Sequence, residues 1–413
     1  MGLALSITLN FACKSTDPKP THPEEQHLFT KYIAIGNSLS AGYADNGLYR
    51  AGQQVAYPNL IAQQMKKVGG GSFESPFFPE DKANGSGYMR LRSITNGMPE
   101  FDDVQSDLAY RSMAPLLLEK HTDSINNLGV PGMRMDMAFY PGVGSAAGNM
   151  YFERLLPESL TATTTYFAYS TSQNHSFFSF SLGNNDILGY ATNGAVTEGP
   201  TTVLTDIEVF ETGLNNYIHT LTESGQKGVI ATIPDVTSTP YFTTVTKALL
   251  LSNVKEATGL DFGEVYIETK EGVRPALPDD LFVLELATNG LFGVDGYGLL
   301  PINPIEDKYI LDSKEIKTVS ERTAAFNDFI RGLAQVKGLA VADVHQFLNR
   351  VKIGITVEGV KVNADYITGK AFSLDGIHLT PIGNALMANL FIQAINDKYN
   401  TEIPPVAMEQ FMN

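Results

Sequence analysis

Cysteine is nearly missing from this chain of 413 residues. Cys13 stands alone, which leaves no internal disulfide and no multi-cysteine metal site. Basic residues are also scarce. Lys and Arg number 29 against 45 Asp and Glu, a formal charge of −16, the wrong sign for a surface that must neutralise phosphates, so nucleic acid is not an expected partner. No apolar run reaches the roughly 20 residues of a bilayer-spanning helix. Gly-x-Gly-x-x-Gly and Walker-type loops are absent, and the histidines show no His-x-x-x-His spacing, so neither a nucleotide cofactor nor a metal is expected. What is present is 43% hydrophobic and 18% charged residues, the balance of a globular chain able to bury a full core.

The lone cysteine closes a short apolar stretch at Ala12-Cys13, after which the chain turns polar and proline-bearing. This resembles the end of a bacterial lipoprotein signal peptide. The resemblance implies that residues 1–12 are a signal remnant, that Cys13 is lipidated and that residues 13–27 are an extended tether. It places the protein at a bacterial cell envelope, on the outer membrane or cell surface, touching the membrane through the lipid anchor only.

Further on, strands and helices alternate. Tyr32-Ile33-Ala34-Ile35 reads as a buried strand ending at Gly36-Asn37-Ser38, and Tyr57-Pro58 opens a short helix. Residues 125–130 read as a second strand, Phe177 through Leu182 as a third, 229–233 as a fourth and 339–344 as the last. Ile207, Phe210, Leu214, Tyr217 and Leu221 recur at helical spacing before Gly225, expected as the C-cap. Asp312 and Glu315 form a capping box ahead of a stripe of Ile316, Val319, Thr323, Phe326, Ile330 and Leu333 that ends at Gly338. Thr380-Pro381 opens a C-terminal helix faced by Ile382, Leu386, Leu390 and Ala394. Stretches near 66–120, 140–174 and 243–311 are too long for ordinary connections and are expected as insertions, the first with room for a hairpin. Alternation of this kind predicts a parallel sheet covered on both faces, with the active crevice at the strand carboxyl ends.

Three polar turns fall at those ends: Gly36-Asn37-Ser38-Leu39, Asn127-Leu128-Gly129-Val130-Pro131-Gly132 and Gly183-Asn184-Asn185-Asp186. A fourth, Asp375-Gly376-Ile377-His378, precedes the last helix. Singly each has a plain structural reading, as a strand end, a helix cap or a surface histidine. Converging on one sheet edge, they would bring together a serine, a histidine, a carboxylate, an asparagine and a glycine amide. Those are the parts for acyl transfer: a serine needs a base, an imidazole needs a carboxylate to hold it, and the tetrahedral oxyanion needs fixed donors. Ile233-Pro234-Asp235-Val236 also ends a strand, with Asp235 read as a turn residue. His345 reads as a polar strand-end residue, and Asp343 beside the last strand is the reserve candidate for the acid.

In this order the four blocks, spanning residues 36 to 378, resemble the SGNH hydrolases, the GDSL-type esterase/lipase family. The resemblance implies a three-layer α/β/α, flavodoxin-like fold with a central parallel sheet and several insertions, built as a single domain over residues 28–400 and followed by a tail at 401–413. It implies Ser38 as nucleophile, His378 as base and Asp375 as the orienting acid, with the Ser38 amide, Gly132 and Asn185 holding the oxyanion. Asn37 departs from the aspartate of the commonest motif, in a position with no part in the triad. The implied activity is hydrolysis of a small-molecule, lipid or acylated glycan ester through an acyl-enzyme, without a cofactor and by a monomer. A thioesterase or acyltransferase using the same triad, and a glycan- or lipid-binding surface lipoprotein without turnover, are the alternative readings.

Overall fold

The computed structural model describes residues 28–95 and 98–411. Cys13, the signal remnant and the tether lie outside the described residues. Four parallel strands form the central sheet: β1 (Tyr32–Gly36), β2 (Phe177–Ser181), β3 (Lys227–Ala231) and β4 (Ala340–Ala342), in that spatial order. Gly36 lies opposite Ser181, Phe180 opposite Ile230, and Ala231 opposite Ala342, so all four carboxyl ends reach one edge. Seven helices matter to the site: α1 (Ser38–Ala41), α2 (Tyr57–Lys67), α3 (Asn185–Thr192), α4 (Ile207–Leu221), α5 (Ser313–Lys337), α6 (Val344–Ile353) and α7 (Pro381–Tyr399).

Successive strand side chains point to opposite faces, and the sheet uses both. Tyr32, Ala34, Phe177, Val229, Ala231, Ala340 and Ala342 pack with α2, α6 and α7. Ile33, Ile35, Phe178, Phe180 and Ile230 pack with α4 and α5. Burial of each large apolar side chain contributes about 1.5–3 kcal/mol, which is why strands covered on both faces read as near-continuous apolar runs. On the second face, the Phe210 and Phe326 rings stack at 3.8 Å and lock α4 to α5. Removing either ring would cost about 3–5 kcal/mol.

The expected second strand is not a strand. Residues 125–130 run beside β1 with Ala34 N–H on Asn126 O (2.9 Å), Leu128 N–H on Ala34 O (2.8 Å) and Val130 N–H on Gly36 O (3.1 Å), yet only one bridge, Ala34 to Asn127, forms. A tyrosine accounts for it: the Tyr166 hydroxyl stands between the two chains, accepting from Gly36 N–H at 3.3 Å and donating to Leu128 O at 2.6 Å, the pair that would have made the next ladder bond.

Other boundaries shift for similar reasons. The strand expected at 339–344 stops at Ala342 because Asp343 accepts from Gln346 N–H and caps α6, a helix the sequence reading did not anticipate. The strand expected at 229–233 lies two residues earlier. Helix α4 ends at Leu221 with Thr222 as its cap, whereas Gly225 sits beyond it in a turn at φ +85°. Helix α5 follows the expectation closely, with the Asp312 and Glu315 capping box formed and Gly338 ending it at φ +66°. Helix α7 is buried more widely than its expected stripe, because residues after Tyr399 fold back on it. Asn396 and Asn389 bind the backbone of Ile403 and Val406, and Ile403, Val406 and Met408 are buried.

The insertions have structure of their own. The first carries two antiparallel hairpins, Tyr88–Thr95 with Met98–Val104 and Tyr110–Met113 with Leu116–Leu118. The second holds short helices at Met150–Glu153 and Tyr166–Thr171. In the third, helix Lys247–Thr258 and hairpin Tyr266–Thr269 with Gly272–Pro275 surround a separate buried cluster that includes Leu250, Ile267, Phe282 and Ile305.

Candidate functional site

Strand β1 leaves the sheet through a turn with no room for a side chain at Gly36, where a Cβ would collide with the Ser40 hydroxyl and crowd the Ser181 carbonyl. Asn37 is fully buried. Its Oδ1 accepts from Leu39 N–H at 3.2 Å and caps α1, while its Nδ2 donates to Asn184 Oδ1 and so ties this turn to the one after β2. Asn37 therefore has a structural duty of its own, in which it donates a hydrogen bond that an aspartate could not. Ser38 is the first residue of α1, a position whose backbone N–H has no partner within the helix.

The second turn is held from beneath. The Tyr166 hydroxyl, fully buried, lies 2.6 Å from Leu128 O and 3.0 Å from Gly36 O, bridging the first two turns from the second insertion. Gly132 has φ +76°, a conformation that L side chains rarely adopt. Among the described residues, its N–H has no protein acceptor.

After β2, Asn185 donates its side-chain Nδ2 to Met133 O at 3.0 Å, which leaves the second Nδ2 hydrogen for the cleft. Its neighbour Asp186 is buried completely. Both Asp186 oxygens accept from Met135 N–H (3.0 and 2.9 Å), and Oδ1 accepts from the Thr205 hydroxyl at 2.7 Å. Burial pushes the Asp186 carboxyl up to about 6, against the pull of the Met135 and Thr205 hydrogen bonds and the Arg134 charge. Arg134 is buried as well. It binds both Asp136 oxygens and the backbone carbonyls of Asn185, Thr201 and Val203. Nothing in the sequence pattern marked this arginine.

The fourth turn carries a carboxylate–imidazole pair. Asp375 Oδ2 lies 2.9 Å from His378 Nδ1 and accepts from Asn46 N–H at 3.1 Å. Asp375 Oδ1 accepts from Ile377 N–H (2.9 Å) and His378 N–H (2.8 Å). Burial works to raise this carboxyl, but the His378 charge and the hydrogen bonds from His378 and Ile377 outweigh it and hold it well below the usual carboxylate range. The Tyr43 ring leans on the imidazole, with centroids 4.7 Å apart. Burial, followed by the Tyr151 and Asp375 charges, raises the Tyr43 phenol, so it stays neutral beside the pair.

Ser38, Gly132, Asn185, Asp375 and His378 all line one open cleft of ≈520 Å³. Among the described residues no hydrogen bond joins Ser38 to His378. The cleft's remaining walls come from residues that the sequence reading did not single out: Tyr43 and Asn46 after α1, Asn149, Met150 and Tyr151 from the second insertion, Leu188 on α3 and Tyr241. Their signal was weak, a few aromatics in loops. Asp235 accepts from Thr237 N–H and from the Thr237 and Ser238 hydroxyls, the turn role expected of it. Asp343 serves α6 and the Thr232 hydroxyl, and neither it nor His345 lines the cleft.

No family model matches this chain, and no curated protein matches it. Among solved structures, it is similar to the crystal structure of a possible lipase from Chitinophaga pinensis DSM 2588, at 12% identity and a TM-score of 0.32, over 89% of this chain and 97% of that one.

Proposed function

We propose that the cleft hydrolyses carboxylic esters through a serine acyl-enzyme. The observation that carries this reading is the Asp375 to His378 hydrogen bond of 2.9 Å, built into the same cleft as Ser38 at the carboxyl edge of the sheet. With Nδ1 bound to the ionised carboxylate, Nε2 is the basic nitrogen. Nε2 takes the Ser38 proton as Oγ attacks the ester carbonyl. The tetrahedral oxyanion is held by the Ser38 and Gly132 N–H groups and by Asn185 Nδ2. Collapse expels the alcohol, which receives the proton from His378. Water activated by the same imidazole then releases the acid and frees Ser38. The missing link between Ser38 and His378 in the free protein is usual for catalytic hydrogen bonds, which tighten when substrate binds.

Two further observations support the reading. The run at 125–130 lies beside β1 on the edge away from β2, and counting it with the four strands gives the spatial order 125–130, β1, β2, β3, β4, which supports reading the sheet as flavodoxin-like, as in an SGNH hydrolase. Among the described residues the cleft lining contains no Lys or Arg, and three tyrosines help to form its walls. That chemistry suits uncharged lipid or acylated glycan esters better than the polyphosphate of an acyl-coenzyme A thioester. In the same reading Cys13 carries the acyl chains of a cell-envelope lipoprotein, and Cys13→Ser releases the protein from the detergent phase.

The test is an ester panel of varied acyl length, including acetylated sugars, run on the intact protein and on Ser38→Ala, with an added alcohol to reveal transfer. Turnover of uncharged esters that disappears in Ser38→Ala supports the proposal. Equal turnover in the two proteins refutes it.

A further inference from the structure

Asn149 belongs to the second insertion, outside all four turns, yet its side chain reaches the oxyanion site. Asn149 Nδ2 donates to Pro131 O at 2.7 Å. Asn149 Oδ1 accepts from Tyr151 N–H at 2.9 Å and Phe152 N–H at 3.1 Å, capping helix Met150–Glu153. The nitrogen faces a carbonyl and the oxygen faces two N–H groups, so the orientation of the side-chain amide is fixed by its partners. Among the described residues, Asn149 is the only donor to the Pro131 carbonyl.

That carbonyl and the Gly132 N–H belong to one planar trans peptide, in which the two bonds point in opposite directions. Holding the carbonyl therefore aims the N–H. Glycine, at φ +76°, contributes no side chain to hold that peptide's orientation, so the restraint has to come from elsewhere. The far end of the restraint is firm: Phe152 is fully buried and packs edge-on against Tyr166 at 5.5 Å, the residue that braces the first two turns.

We infer that Asn149 is a positioning residue for the oxyanion site, fixing the Gly132 N–H through the Pro131 carbonyl. The inference rests on the ester-hydrolase reading above. Asn149→Ser keeps an oxygen able to cap Met150–Glu153 but is too short to reach Pro131 O. Asn149→Asp keeps the cap and replaces the donor with an oxygen that repels the carbonyl. With p-nitrophenyl acetate as substrate, both variants are expected to lower kcat by about tenfold or more, short of the ~10²–10³-fold loss of a whole oxyanion donor. KM should stay within about twofold, because the donor acts on charge that develops in the transition state. Inhibition by a boronic acid, whose tetrahedral adduct places an oxygen in the same site, should weaken by a factor similar to the kcat loss. If Asn149→Ser melts early, Asn149→Asp carries the test, since an aspartate is a strong cap.

Wild-type kcat in a folded variant, or a change confined to KM, would overturn the inference. Ser38→Ala is the control. Full activity in Ser38→Ala defeats the ester-hydrolase reading and this inference with it. An inactive Ser38→Ala beside a fully active Asn149→Ser defeats the positioning role alone.

Discussion

Asn46 donates its backbone N–H to Asp375 Oδ2 at 3.1 Å across 329 residues of chain. It does so from the turn Ala44-Asp45-Asn46-Gly47, closed by reciprocal Ala44 and Gly47 hydrogen bonds of 3.0 and 2.9 Å, with φ of 52° at Asp45 and 62° at Asn46. Positive φ at both central residues makes this a type I′ turn, favoured by aspartate and asparagine. Asp45 adds two stitches to the loop of Asp375, from its N–H to Ser373 Oγ (3.1 Å) and from Leu374 N–H to its Oδ1 (3.0 Å). The turn after Ser38 thus holds the loop that carries Asp375 and His378.

Substitutions at Asn46 separate backbone from side chain. Asn46→Gly keeps the N–H and tolerates positive φ, so kcat/KM is expected to stay within about threefold of wild type. Asn46→Pro removes the donor and cannot adopt the turn, so a fall of about 10²-fold is expected as the loop shifts. Steady-state kinetics on one uncharged ester checks both. Equal activity in the two variants would show that the turn does not position Asp375.

Asp186 makes stability depend on pH in a direction opposite to the usual carboxylate. Burial raises its folded-state value from 3.8 to about 6. Its contribution to stability is therefore fully present below the unfolded value and is lost as pH rises through about 6, a swing of about 3 kcal/mol at most. Asp186→Asn keeps an Oδ1 for Met135 N–H and the Thr205 hydroxyl, replaces the second acceptor with an NH2 that faces the Met135 N–H, and so is less stable than wild type but lacks this swing. Denaturant unfolding at pH 4.5 and pH 7.5 should show the stability gap between variant and wild type narrowing at the higher pH. A gap that widens would contradict the assignment.

Asn185 is expected to act on the transition state. In the proposed mechanism Asn185→Ala should lower kcat by about 10²-fold with KM little changed, since the Nδ2 hydrogen not used on Met133 O would act on the oxyanion. An effect confined to KM would make Asn185 a substrate-binding residue instead.

What could be read in the sequence was local. Gly36-Asn37-Ser38 announces a strand end, Asp312 with Glu315 announces a helix start, and Gly338 announces its end, because each rests on bonds within a few residues. The run at 125–130 shows where local reading fails: its apolar residues do pack beside β1, but the Tyr166 hydroxyl, from the second insertion, takes the Gly36 N–H and Leu128 O that would have continued the ladder. Arg134 and Asn149 were invisible for a related reason. Their partners, Thr201 and Val203 for one and Pro131 for the other, lie 18 to 69 residues away, and only the folded chain brings them together. The four turns could be read because each carries its own chemistry. The cleft walls could not, because they are contributed mainly by loops and insertions.

The central claim is that Ser38 becomes acylated. A fluorophosphonate incubated with the intact protein, followed by peptide mass analysis, should place the covalent label on Ser38, and Ser38→Ala of unchanged thermal stability should take up no label and lose ester turnover by several powers of ten. A label on another residue, or wild-type turnover in folded Ser38→Ala, would contradict it.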